Sequence, residues 1–199
     1  MFDSPLVINN PIKNTTTSEF GGDGYLLYKV KLKNKKPYII RVEKYPNDLF
    51  FLKFYPKNHE SNPNKFKIRL NQKSEFSRLI ATCIELAKKM LNKNPDCCFA
   101  FFGQWDNKDV VSENELKNKP YTLSQRYRIY KSVIFSKINS KNFEFYFNDE
   151  INTMIVFPKH VFNDKKLYNK IISRMRQIYS NDLINLRVPL ENELSIYNI

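Results

Sequence analysis

Residues 66–102 constrain the fold of this chain more than any other stretch: a short alternating segment, an uninterrupted amphipathic helix, then six consecutive apolar residues, Cys97, Cys98, Phe99, Ala100, Phe101 and Phe102. In the helix, Phe76, Leu79, Ile80, Cys83, Ala87, Met90 and Leu91 recur every three or four positions, one stripe about 100° wide. Asn71 or Ser74 offers an N-cap, Glu75 sits in the first turn, Lys88, Lys89 and Lys93 lie toward the end, and Asn94-Pro95 stops it. Cap, charge and breaker all agree with the helix dipole. The apolar strand that follows fits only a sheet centre covered on both faces, and a strand-helix-strand unit of this length predicts a right-handed crossover to a parallel neighbour.

Alternation marks the strands on either side. Leu26, Tyr28, Val30 and Leu32 share one face of 25–32, with Lys29 and Lys31 on the other. Residues 37–44 and 49–55 continue an antiparallel meander, and 65–70 supply a further candidate strand, with Phe66, Ile68 and Leu70 inward and Lys67 and Arg69 outward. A second helix is expected over 122–138, with Leu123, Tyr127, Tyr130, Ile134 and Ile138 inward. A hairpin joins 143–147 to 153–157 across a turn at Asp149-Glu150, and a third helix covers 164–179. The expectation is an α+β fold: a meander of three to four strands, a crossover helix to a buried central strand, a second helix, then a C-terminal hairpin and helix. One domain spans 25–180. An irregular arm precedes it (1–24, broken by Pro5 and Pro11 and ending in Gly21-Gly22-Asp23-Gly24), and a mixed tail (181–199) follows.

The chemistry is bounded mainly by exclusion. At 199 residues and 42% hydrophobic content the chain is long enough to bury a core as one domain. No run approaches the roughly 18 apolar residues of a membrane span, and the N-terminus lacks the pattern of a signal peptide, which predicts a cytoplasmic protein. The three cysteines, Cys83, Cys97 and Cys98, read as buried small hydrophobes, because adjacent strand residues point to opposite faces and no His lies near. His59 and His160 stand far apart, each without metal-ligand spacing around it. No catalytic triad and no glycine-rich phosphate loop is present in the sequence.

Charge is the remaining signal: 33 Lys+Arg against 20 Asp+Glu, a net charge of +13. A lysine-rich solvated surface explains part of it, so only clusters count. Lys29, Lys31, Arg41, Lys53, Lys67 and Arg69 occupy outward positions of successive strands, which predicts a basic sheet face. Lys166, Lys170 and Arg174 form a ridge at four-residue steps. Arg126, Arg128 and Lys131 interleave with Tyr127 and Tyr130, the residue types that hold single-stranded nucleic acid, and Trp105 lies in a long polar segment at 104–120. Like charges at i,i+4 repel by a few tenths of a kcal/mol per pair, so an anionic partner gives the ridge a reason to exist. These clusters predict a non-enzymatic protein that binds nucleic acid or a nucleoprotein complex, with affinity that falls as salt rises. The alternative on the same surfaces is an acidic protein partner, in a toxin, antitoxin or phage-defence setting.

A resemblance adds a third reading. The order of meander, helix, apolar strand, helix and hairpin, with Q-R-Y-R-I-Y-K-S-V-I-F, N-F-E-F-Y-F and T-M-I-V-F-P-K in the later part, resembles the GNAT acetyltransferase fold over roughly residues 25–158. The chain also resembles small bacterial proteins. The GNAT resemblance implies acetyl-CoA as cofactor, held at the start of the helix after the meander by Lys73 and Ser74, and Tyr130 as the acid that protonates the departing thiolate. This sequence departs from that family at the pyrophosphate loop: 71–76 contain no glycine, and Glu75 puts a negative charge where the anion belongs.

Overall fold

The computed structural model describes residues 5–8, 11–14, 23–32, 36–63, 65–68, 73–103, 123–149 and 151–183, with backbone alone at 12–14, 67, 73–74 and 179–183. Within the described residues seven strands form one mixed sheet: β1 (Ile12–Asn14), β2 (Gly24–Lys31), β3 (Pro37–Tyr45), β4 (Leu49–Pro56), β5 (Cys98–Phe102), β6 (Phe143–Asn148) and β7 (Thr153–Pro158), in the order β1-β2-β3-β4-β5-β7-β6. Among the described residues four α-helices accompany it: α1 (Lys73–Leu91), α2 (Gln125–Lys137), α3 (Lys159–Asn163) and α4 (Lys165–Leu183). The fold is α+β, and among the described residues only β4 and β5 run parallel, joined through α1; the parallel neighbour of β5 is β4 and not the 65–70 segment that the sequence pattern put before the helix.

Two cores lie on the two sheet faces, because alternate residues of each strand point opposite ways. On the first face Tyr28, Val30, Ile40, Val42, Leu52, Phe54, Phe99, Phe101, Met154 and Val156 meet Leu79, Ile80 and Cys83 of α1 and Tyr127, Val133 and Ile134 of α2. On the second face Leu49, Phe51, Cys98, Ala100, Ile155 and Phe157 meet Val161 of α3 and Ile171, Ile172, Met175 and Ile178 of α4. The central strand β5 is thus buried from both sides, which its unbroken apolar run requires. All three cysteines are buried and unbridged, and burial raises the Cys83 thiol to about 12 and the Cys97 thiol to about 11, so none is a thiolate at neutral pH.

Three expectations are corrected. Residues 65–67 are not strand but a 3-10 turn, with Lys67 described by backbone alone, and Arg69 and Leu70 lie outside the described residues. The arm is not wholly irregular, since β1 pairs antiparallel with β2, Leu6 is buried, and its N–H donates to Thr82 Oγ1 of α1 at 2.9 Å. A short helix, α3, stands between the hairpin and the long α4. Tail residues 184–199 and the Trp105 segment lie outside the described residues.

The β4–β5 pairing is short. It runs from Leu49↔Cys98 to Phe51↔Ala100, after which β4 continues to Pro56 paired only with β3. Phe66 closes the space where the two strands part, together with Leu52, Lys53, Phe54, Phe102, Arg126 and Tyr130, and the void left among them is about 20 Å³. The Arg126 guanidinium crosses from α2 to donate to the Phe66 and Ile68 carbonyls. A turn whose carbonyls are occupied by a side chain has no need of a strand partner, which is why the alternation at 66–70 misleads.

Candidate nucleic-acid interface

The ridge on α4 is built from the sheet outward. Ile171, Ile172, Met175 and Ile178 anchor the helix on the second core, which turns Lys166, Lys170 and Arg174 away from it, Lys166 and Lys170 into solvent. Asp164 Oδ1 caps the helix, accepting from the N–H of Lys166 at 3.0 Å and of Leu167 at 3.1 Å. No acidic residue occupies the first turn, where Lys165 and Lys166 stand at the positive end of the helix dipole. Four residues advance a helix by about 6 Å, so the ridge is a straight row of three cations roughly 12 Å long. A second row, Asn169, Ser173 and Gln177, lies three residues after each cation on the adjoining line of the same face.

The opposite wall is the β3–β4 turn. Tyr45 and Leu49 are paired, and the three residues between them turn through left-handed backbone at Asn47 (φ 64°) and Asp48 (φ 52°), a region that Asn and Asp enter more easily than other side-chain-bearing residues. The Asp48 carbonyl accepts from the Cys98 N–H at 2.9 Å, which fixes the turn to the central strand. Between this turn and α4 lies an open groove of about 600 Å³, lined by Pro46 and Asn47 on one side and by both rows of α4 on the other. Its polar lining is three cations, three amides and one hydroxyl, with no carboxylate. Among the described residues neither Lys166 nor Lys170 has a carboxylate partner, and Arg174 Nη1 donates to Gln177 Oε1 at 3.1 Å.

The other predicted cations divide. Lys29 and Lys31 are exposed on β2. Arg41 and Lys53 do face away from the first core, but they do not make an open basic face. Arg41 is only 9% exposed, and both cations converge on Glu43, itself 1% exposed, with Arg41 Nε 2.9 Å from Oε1 and Lys53 Nζ 2.9 Å from Oε2. Tyr45 donates its hydroxyl to the same Oε2 at 3.0 Å, and the Arg41 guanidinium covers the Tyr25 ring at 4.1 Å. Arg128 is exposed, whereas Lys131 is half-buried, 3.1 Å from Asp149 Oδ1 and 4.7 Å from the centre of the Phe147 ring. Arg126 is committed to the carbonyls of the 3-10 turn.

Tyr130 is 4% exposed between Phe76 and Phe101, with ring centres 5.8 Å away on each side. Burial raises its hydroxyl well above the ordinary tyrosine range, with Arg126 opposing. The void beside it has room for about one water molecule and no more. The side chains of Lys73 and Ser74, which open α1, lie outside the described residues. His160 Nε2 lies 2.8 Å from Asp96 Oδ1, an exposed pair that closes no pocket.

The second row on α4 was within reach of sequence reasoning, because i+3 neighbours of the cations are fixed by helix geometry. The contribution of Pro46 and Asn47 was not, since it depends on where α4 lands on the sheet. Comparison with family models, curated proteins and solved structures finds no match for this chain.

Proposed function

We propose that this chain is a non-enzymatic binding protein that engages the phosphate backbone of nucleic acid, free or in a nucleoprotein complex, through the groove between α4 and the β3–β4 turn. One observation carries the reading: three cations in a row, backed by a row of amide and hydroxyl groups, line an open groove that holds no carboxylate. The cations repel one another along the helix, and Lys166 also opposes the helix dipole, so an anion laid in the groove relieves two unfavourable terms together. Amides and a hydroxyl beside the cations donate to phosphate and sugar oxygens, contacts that position a backbone without reading its sequence.

Titration of a labelled duplex by anisotropy at several salt concentrations tests this. Three phosphate contacts give a slope of log K against log salt of about −2.7 on duplex and about −2.1 on a single strand. Lys170→Glu is expected to lower affinity for unrelated sequences alike and to flatten the slope by about one or more. Binding that ignores salt, or that survives joint substitution of Lys166, Lys170 and Arg174 by Glu, removes the proposal.

A second reading, a divergent GNAT-like acyltransferase using acetyl-CoA with Tyr130 as acid, is favoured by one feature, the parting of the parallel strands β4 and β5 beyond Phe51 and Ala100. The void of about 20 Å³ at that point weighs against it. Binding of acetyl-CoA at a hundred times its dissociation constant raises stability by about 2.7 kcal/mol, so an unchanged melting temperature at millimolar cofactor ends this reading.

A further inference from the structure

Strand β6 ends the sheet, and among the described residues nothing pairs with its outer edge. Its backbone direction follows from two observations. Phe143 stands opposite Pro158, which has no N–H to give, and the neighbouring pair is bonded, with Lys159 N–H donating to the Asn142 carbonyl at 3.1 Å. Antiparallel pairs alternate between bonded and non-bonded, so Glu144, Tyr146 and Asn148 bond inward to β7. The N–H and C=O groups of Phe143, Phe145 and Phe147 therefore point outward, away from the sheet. Their side chains lie on the first face, and beside them Phe135 of α2 is 38% exposed, with its ring 4.8 Å from Phe145 and 5.2 Å from Phe147, centre to centre. An aromatic edge without a proline, lysine or bulge within it is the kind that captures another strand.

We propose that β6 pairs antiparallel with β6 of a second copy of this chain, forming a two-fold dimer with one continuous sheet. The occupant follows from register. Outward-bonding residues must face one another, which leaves few symmetric alignments. Centring on Glu144 places two carboxylates directly opposite each other, an unfavourable pair. Centring on Phe145 sets Phe143 against Phe147, Glu144 against Tyr146, and Lys141 at one end against the half-exposed Asp149 of the other copy, twice by symmetry; Asp149 Oδ1 already takes Lys131 and the Tyr127 hydroxyl of its own chain, so Lys141 meets Oδ2. Only this second arrangement joins like aromatic rings in the middle and opposite charges at both ends. The exposed Phe135 rings flank the seam on both sides and lose water with it.

The proposal concerns a different part of the sheet from the α4 groove and stands or falls separately. Sedimentation of the full chain, in high salt and free of nucleic acid, is expected to show a concentration-dependent species of twice the 23.8 kDa chain mass. Lys141→Glu, an exposed change that leaves the fold intact, is expected to weaken the dimer by about five-fold or more through two like-charge pairs. Phe145→Pro removes an outward N–H that the monomer does not use, and is expected to abolish dimerisation, with far-UV circular dichroism reporting that the monomer remains folded. A monomer at all concentrations up to hundreds of micromolar overturns the proposal, and so does a dimer that Lys141→Glu leaves unchanged.

Discussion

Glu43 carries a larger share of the structure than its place in an alternating strand suggests. It is 1% exposed and takes charge from Arg41 and Lys53 and a hydrogen bond from the Tyr45 hydroxyl. Removing the carboxylate leaves two cations facing each other across β3 and β4, in register and largely shielded from water. Breaking a buried ion cluster by deleting one member costs about 3–5 kcal/mol, mostly through the uncompensated charge that remains. Glu43→Ala is therefore expected to lower unfolding free energy by about 3 kcal/mol in a urea titration, and Glu43→Gln by nearly as much, because the amide keeps the Tyr45 contact but not the charge. Replacing all three with apolar residues of similar size is expected to recover most of the loss. A fall below about 1 kcal/mol for Glu43→Ala contradicts this account. The same trio closes the part of the sheet face that alternation predicts to be open and basic. Alternation assigns Arg41 and Lys53 to the right side of the sheet, but a period of two says nothing about a carboxylate two residues along that turns both cations inward.

Among the elements, those whose pattern exceeds one kind of signal were legible. For α1 the apolar stripe, charge bias and stop residues all agree, and β5 is unmistakable because six apolar residues in a row fit nowhere else. Where the signal was a single period over a few residues it failed, as at 65–67, or missed a short element, as with α3. The junction at the start of α2 belongs to neither group, since it is set by contacts between segments far apart in sequence. Ser124 caps the helix, accepting from the Tyr127 N–H at 3.1 Å while its own hydroxyl donates to the Gly103 carbonyl at 2.6 Å. Asn152, in left-handed backbone (φ 51°), accepts from the Ser124 N–H through Oδ1 at 2.7 Å, and its carbonyl accepts from Gly103 N–H at 2.9 Å. Three segments meet there with no room for a side chain at 103: a Cβ on Gly103 falls 2.5 Å from Tyr127 Cβ and 2.6 Å from the Tyr127 nitrogen. Relief requires α2 to move off β5. Gly103→Ala is thus expected to cost about 2–3 kcal/mol by overpacking, read as a lowered denaturation midpoint with an unchanged slope. A neutral substitution shows that α2 shifts freely at its first turn.

At the scale of the whole molecule the two faces of the sheet divide the work. The first is sealed by α1 and α2 and closes the gap where β4 and β5 part, and the second carries α4 and presents its cations to solvent. The sealing has a consequence in alkali, because it buries hydroxyls and thiols that ionise readily in an unfolded chain. Burial raises Tyr38 to about 12, and Cys83 likewise to about 12. Tyr130 rises by burial, and Tyr127 by burial and then by the hydrogen bond to Asp149, which its hydroxyl makes at 2.6 Å. In the unfolded chain thiols ionise near 8.5 and phenols near 10. Each raised group then favours the folded state fully below its unfolded value and loses that contribution as pH rises toward its folded value, since the unfolded chain releases its protons first. Stability is expected to be flat up to about pH 8.5, to decline between there and pH 10 as the thiols contribute, and to fall steeply between about pH 10 and 12. Phenolate absorbance followed with far-UV circular dichroism tests this. The buried tyrosines are expected to ionise in one cooperative step that coincides with loss of secondary structure. If all 12 tyrosines titrate smoothly with the dichroism intact, the first core admits hydroxide and is not a sealed layer.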